Sequence, residues 1–206
     1  NWDYAQLVPT YPWRSAMTLA RELSLRTTQQ GPRIAQQFVR ELASIRGEAI
    51  KHGLARQVDT TTLLPANPQQ LELILEAAVR QDSISRLAVR LSNGVGESYT
   101  IGYSAAEQAY FSDRRQAGKV DFAPKFAAAV HYAPAHSAGT LVTMHLVFDH
   151  SSAELIADDG YTCLTDLFFP SQPFTQLELL VEGEAVDLQR LELYPLHSIW
   201  TPSEKR

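Results

Sequence analysis

Asp158 and Asp159, in the stretch Ala157-Asp158-Asp159-Gly160, are the side chains that come nearest to a hydrolytic pair. Cleavage of a glycosidic bond needs two carboxyl groups flanking it, one as acid/base and one as nucleophile or base. Neighbours in a tight turn point apart and cannot clamp a sugar ring, and Asp-Gly is a strong type I′ hairpin signal. The turn reading therefore prevails over the catalytic one. His145 and His150 lie five apart on a predicted strand, so they face opposite sides and cannot share a metal. His131 and His136 flank Pro134 in a segment that reads as a loop, with no fixed geometry. Cys163 is the single cysteine, which excludes an internal disulfide and a multi-cysteine zinc site. No Gly-x-Ser-x-Gly elbow occurs. These readings give no support to a metal site, a cofactor or a serine-histidine triad.

The elements that would position these residues are strands. From Gln69 onward, period-two alternation dominates. Leu71, Leu73 and Leu75 alternate with Glu72, Ile74 and Glu76. Leu87, Val89 and Leu91 alternate with Arg86, Ala88 and Arg90, followed by an Asn93-Gly94 turn. Tyr99, Ile101 and Tyr103 continue the pattern, with a short strand at Tyr110-Phe111. Runs at 141–149, 153–157, 161–169, 176–181 and 188–194 complete it. Pro65, Pro68, Pro124, Pro134, Pro170 and Pro173 fall between the runs, as strand interiors require. Phe38, Leu42 and Ile45 instead have helical spacing, so a strand near Arg33–Gln37 followed by a short helix ending before Gly47 is predicted. Residues 112–139 read as a long loop with one weak strand, and the polar stretch Thr60–Gln70 as a loop. Short strands at this spacing predict an all-β fold, a two-sheet β-sandwich.

The chain's 206 residues are enough for one large all-β domain, and its apolar content of 45% is that of a globular protein. A net charge of −5 opposes binding to nucleic acid and to anionic membrane surfaces. No apolar run approaches the ~18 residues of a membrane span.

Against this background, Asn1-Trp2-Asp3-Tyr4, the elbow Pro9-Thr10-Tyr11-Pro12-Trp13-Arg14 and the run Met17 to Leu25 resemble one group, glycoside hydrolase family 32. In that family a similar stretch closes a five-bladed β-propeller and leads into a C-terminal β-sandwich. Phe148 to Gly160 resembles the family's Val-Asp-Arg-Ser-Ser-Val-Glu-Val-Phe hairpin with its Ala-Asn-Asp-Gly turn, departing from it at His150, Ile156 and Asp158. Ile101-Gly102-Tyr103, Asp113-Arg114-Arg115 with Gly118, Leu164 to Pro170 and Leu193 to Trp200 extend the likeness, in order, over nearly the whole chain.

The resemblance implies that residues 1–25 are the last propeller strand and linker, that 26–206 are the sandwich, and that the rest of the propeller is absent. The family's three catalytic acids lie in Asn-Asp-Pro-Asn, Arg-Asp-Pro and Glu-Cys motifs, none of which occurs here, so no catalytic residue is expected in this chain. One binding role carries over, because the family's tryptophan in Asn-Trp-x-Tyr lines the pocket for the terminal fructose and Trp2 matches it. An aromatic face suits a sugar by covering its C–H patches. Packing between propeller and sandwich is the competing role for Trp2. Trp13 and Arg14 are expected at the interdomain seam, and Trp200 against the last strand. The intact protein is then expected to be a retaining hydrolase of levan, inulin or sucrose, extracellular or periplasmic, with a cytoplasmic location left open. Expected partners are fructan or sucrose through the propeller, with neither nucleic acid nor membrane, and with room for a homodimer through the sandwich. The alternative is a stand-alone, non-catalytic fructan-binding or structural module.

Overall fold

A computed structural model describes residues 3–28, 31–79, 84–136 and 141–199. An N-terminal arm, residues 3–20, precedes a hairpin of β1 (Arg21–Thr28) and β2 (Gly31–Phe38). A six-residue 3-10 helix, Arg40–Ile45, follows. The remaining strands are β3 (Gln57–Val58), β4 (Thr62–Leu64), β5 (Leu71–Ala78), β6 (Ile84–Ser92), β7 (Ser98–Ser104), β8 (Ala109–Gln116), β9 (His131–Pro134), β10 (Leu141–Asp149), β11 (Ser152–Ala157), β12 (Thr162–Leu167), β13 (Gln176–Gly183) and β14 (Val186–Pro195).

They form two antiparallel six-stranded sheets, ordered β12-β11-β10-β5-β14-β3 and β4-β13-β6-β7-β8-β9. The alternation read from the sequence sets which face is buried. Leu71, Leu73, Leu75 and Ala77 on β5, with Val142, Met144, Leu146 and Phe148 on β10, point inward from the first sheet. Leu87, Val89 and Leu91 on β6, with Tyr99 and Ile101 on β7, meet them from the second. Each such side chain contributes roughly 1.5–3 kcal/mol on burial. The expected β-sandwich is the observed fold.

Several details differ from expectation. The helical spacing at Phe38–Arg46 yields a 3-10 helix, with Leu42 buried. The Tyr110-Phe111 strand extends to Gln116, and the polar Thr60–Gln70 stretch contains β4. Residue 25, the expected end of the linker, lies within β1. His131 is no loop residue: it opens β9, and its Nδ1 lies 3.0 Å from Asp166 Oδ1. That Asp also accepts from Ser112 Oγ. The carboxylate sits between serine and histidine, so no histidine is placed to take the serine's proton.

The largest departure is Glu72. Alternation puts it on the outer face of β5, yet it is fully buried. The 3-10 helix and hairpin cover that face with a second, smaller core of Phe38, Leu42, Val147 and Ile156. Arg46 grips the carboxylate through Nε and Nη2 at 2.5 and 2.6 Å, and His145 Nε2 lies 2.6 Å from Oε1. Phe38 packs edge-on to the His145 ring, and Tyr194 lies beneath the Arg46 guanidinium. Burial by itself would raise the Glu72 pKa, but the hydrogen bonds from His145 and Arg46 outweigh it and hold the carboxyl below its ordinary 4.5.

A carboxyl depressed on folding contributes stability above its unfolded pKa and loses it as pH falls through the folded value. Glu72→Gln should therefore cost about 1.5–3 kcal/mol near neutrality, the usual worth of hydrogen bonds to a charged group, since Arg46 keeps 27% of its side chain in contact with solvent. The gap between the two proteins should narrow as the pH falls below 4.5. Urea unfolding of both across that range checks it, and a gap independent of pH would show that Glu72 is not ionised in the folded chain.

Candidate functional site

The chemistry-bearing pair, Asp158 and Asp159, occupies the β11–β12 turn. Tyr161 N–H donates to Asp158 O at 3.0 Å, and φ is positive at both central residues, Asp159 (55°) and Gly160 (94°), the type I′ signature. The two side chains part as expected. Asp158 is buried and accepts from Tyr110 OH and from the backbone N–H of His136, each at 2.6 Å. Burial, then the nearby Asp158 charge, pushes the Tyr110 phenol well above its ordinary range. Asp159 is exposed and passes only its carbonyl to Arg26. Thus Asp158 ties the turn to the second sheet, a role its exposed-turn sequence context did not disclose. Gly160 meets the backbone of Gln36, where a Cβ would collide with the carbonyl oxygen, so the turn also seats the β1–β2 hairpin.

Among the described residues no group of three or more His, Cys, Asp or Glu is arranged to hold a metal. His145 and His150 stay apart: His145 packs under Phe38, whereas His150 lines a groove below the arm.

The arm is held at two points. At its C-terminal end, Glu154 on β11 takes the backbone N–H of Leu19 at 2.7 Å and Arg21 Nη2 at 2.6 Å. Arg21 also bonds Gln36 and Thr165. Near its N-terminus, Tyr4 packs edge-on to Phe126 at 5.2 Å, and its hydroxyl accepts from Arg114 Nη2 at 3.1 Å. The loop that presents Phe126 is stapled by a Phe122–Phe126–Phe169 cluster. Gly118 makes that loop possible, with φ of 95° and the Phe169 carbonyl where a Cβ would stand.

Beside the Glu154 anchor lies a groove of about 680 Å³ lined by Trp13, Met17, Leu19, Leu42, Ile45, Val147, His150, Leu196 and Ile199. Of the twelve exposed large hydrophobic residues described, seven lie before residue 35: Leu7, Tyr11, Trp13, Met17, Leu23, Leu25 and Ile34. Exposed apolar side chains concentrated in one part of the chain suit an interaction face. Trp13 is 45% exposed here, so within this chain it is not a buried packing residue. Trp2 and Trp200 lie outside the described residues.

These features define a class, an all-β sandwich that straps an apolar N-terminal arm across its surface through buried carboxylates. A family profile described as glycosyl hydrolases family 32 C terminal matches residues 41–195. The levanase of Bacillus subtilis (strain 168) is 31% identical over 208 residues, covering 97% of this chain and 30% of that protein. An extracellular exo-inulinase of Aspergillus niger is 31% identical over 206 residues, covering 97% of this chain and 38% of that protein. The crystal structure of exo-inulinase from Aspergillus awamori matches with a TM-score of 0.86 at 29% identity, over 97% of this chain and 39% of that one. The fructofuranosidase of Schwanniomyces occidentalis, at 18% identity and a TM-score of 0.74, shares the fold. The chain belongs to glycoside hydrolase family 32 and carries its C-terminal domain. It spans about a third of the length of these relatives.

Glu154 and Arg114 are the residues that reading for catalytic groups passed over. Both sit in stretches that carried the family likeness, Ser-Ser-Ala-Glu and Asp-Arg-Arg, which was the available signal.

The turn makes a sharp prediction. Asp158→Asn should stay within about 1 kcal/mol of wild type, because an amide can accept from His136 N–H and donate to Tyr110 Oη. Asp158→Ala strands both groups and should cost about 1–3 kcal/mol. Gly160→Val should cost more than either, since it adds a collision with Gln36 to a φ that β-branched residues resist. Equal unfolding midpoints for the three variants would show that the turn is not the clamp described.

Proposed function

We propose that this chain is the C-terminal β-sandwich of a retaining β-fructofuranosidase-type hydrolase that acts on levan, inulin or sucrose. Residues 1–25 would be the end of a β-propeller and its linker, and 26–206 the sandwich. The observation that carries this is the strapped arm. Its exposed apolar side chains, together with the groove beneath it, give a surface suited to an abutting domain. The relatives' greater length supplies room for such a domain.

On this reading the sandwich does no bond-breaking. The paired acids would come from the propeller, and the sandwich would brace it and present Trp2 as one wall of the fructose pocket. A flat aromatic wall accepts the C–H surface of the terminal sugar, while hydroxyl recognition is left to other groups. Trp13 and Arg14 would lie at the seam. The extracellular relatives favour an extracellular or periplasmic site of action. Among the described residues no helix is long and apolar enough to cross a membrane.

Three measurements test the reading. The 206-residue chain should release no fructose from sucrose, levan or inulin, and chelation should leave its melting temperature unchanged. In the full-length protein, Trp2→Ala should remove on the order of 1–3 kcal/mol of apolar contact, roughly ten- to a hundredfold in kcat/KM. The loss should be similar for short and long fructans, because the terminal fructose is common to both. A Trp2→Ala protein that is destabilised but retains full activity per folded molecule would assign Trp2 to packing.

A further inference from the structure

The outer face of the first sheet holds a cleft of about 310 Å³ that shares no lining residue with the groove beside the arm. Strand register builds its floor. Glu76 on β5 stands between Thr143 on β10 and Arg190 on β14, and Ile74 stands between His145 and Glu192. Gln37 and Phe38 of β2, with Asp159 and Gly160 of the β11–β12 turn, make the wall. Because Gly160 seats the hairpin on that turn, the two parts of the wall are held together.

The polar side chains of the floor are fixed by partners yet keep open positions. Arg190 donates through Nε and Nη2 to Glu192, each at 2.9 Å, and through Nη1 to Glu76 Oε1 at 3.2 Å. A guanidinium bound in this way retains the other proton of each Nη for a ligand. Glu76 Oε2 has no partner among the described residues. His145 is oriented through Nε2 by Glu72, which Arg46 grips in turn, and Phe38 packs against its ring, so Nδ1 is the position left open. In the wall, neither the Asp159 carboxylate nor the Gln37 amide group makes a hydrogen bond among the described residues. Groups fixed in advance lose little freedom when a ligand arrives, which lowers the cost of binding.

The open groups select the ligand. Glu76 and Asp159 accept, Arg190 and Gln37 donate, and Ile74 offers apolar surface on the floor. A hydroxyl both donates and accepts, so a ring that carries neighbouring hydroxyls and C–H faces matches this mixture. A phosphate or carboxylate does not, because Arg190 is already matched by Glu76 and Glu192 and Asp159 adds a further negative charge. A metal ion fails as well, since no group of three or more His, Cys, Asp or Glu among the described residues is arranged to hold one. We propose that the cleft binds one neutral sugar ring, a fructosyl unit of levan or inulin, so that the sandwich itself takes hold of the polymer. The volume, at the low end for small-molecule sites, suits a single ring. That the ligand is a neutral polyol follows from the cleft; that it is fructosyl rests on the reading of the chain as part of a fructan hydrolase.

Titrating the isotope-labelled 206-residue chain with fructose, short inulin and levan fragments, followed by amide NMR, tests this. The signals of Glu76, Thr143, His145 and Gly160 should move together, with a Kd on the order of 1 mM for the single ring, while that of Phe111 on the second sheet stays in place. Because the ligand is neutral, added salt should leave the Kd unchanged. Asp159→Gly, which tolerates the left-handed backbone of the turn, and Gln37→Ala should each weaken binding severalfold with a melting temperature close to wild type, and the double variant should abolish it. Signals that stay still, shifts that map elsewhere, full affinity in the double variant, or binding of putrescine in place of the sugars would each overturn the proposal. Fructose release by the full-length protein separates the two readings. Release without binding at the cleft refutes the cleft alone, and binding at the cleft without release refutes the hydrolase alone.

Discussion

Everything that makes this sandwich more than two stacked sheets depends on the burial of carboxylates that bind arginines. Glu154, Glu72 and Asp166 stand on β11, β5 and β12, and each is at most 7% exposed. Glu154 holds Arg21 and the Leu19 amide, Glu72 holds Arg46, and Asp166 lies against Arg114. Among the described residues, the apolar core between the sheets draws no member from the first 49 positions. What attaches that N-terminal portion is the smaller cluster around Phe38 together with these charged joints. A buried ion pair is a poor source of net stability but a strict one of geometry, because any other arrangement strands a charge. Ionic joints of this kind suit a segment that must be placed accurately.

The same logic explains the uneven distribution of apolar surface. Within the sandwich, alternation lets each strand hide one face, and large side chains such as Tyr99, Tyr110 and Phe148 are wholly buried. Along the hairpin, Leu23, Leu25 and Ile34 remain exposed while Ala35 and Phe38 are buried. A two-stranded ribbon has too few residues to cover both faces.

The sheets were legible in the sequence because strand periodicity is local. Leu141–Asp149 was bounded correctly, and the Asp-Gly turn was readable as type I′, since hairpin turns carry their own residue code. The buried carboxylates were not legible. Glu72 falls on the polar phase of β5, and its partner Arg46 is 26 residues away. Glu154 meets Arg21 across 133 positions, and Arg114 meets Tyr4 across 110. No window along the chain contains such pairs. His131 was misread as a loop residue for a related reason: β9 is short, its segment is broken by Pro134, and only pairing with β8 makes it a strand. The family likeness pointed to the right stretches without saying what Glu154 or Arg114 does there.

The central claim is that the arm is a fixed part of the sandwich, locked by Glu154, and amide hydrogen exchange at Leu19 tests it most directly. The Leu19 N–H sits in no strand, and its one bond is to the Glu154 carboxylate. If the arm is locked, this amide should exchange with a protection close to that of core strand amides such as Leu146, opening only with global unfolding. Exchange at the rate of an unstructured peptide, while Leu146 stays protected, would contradict the account.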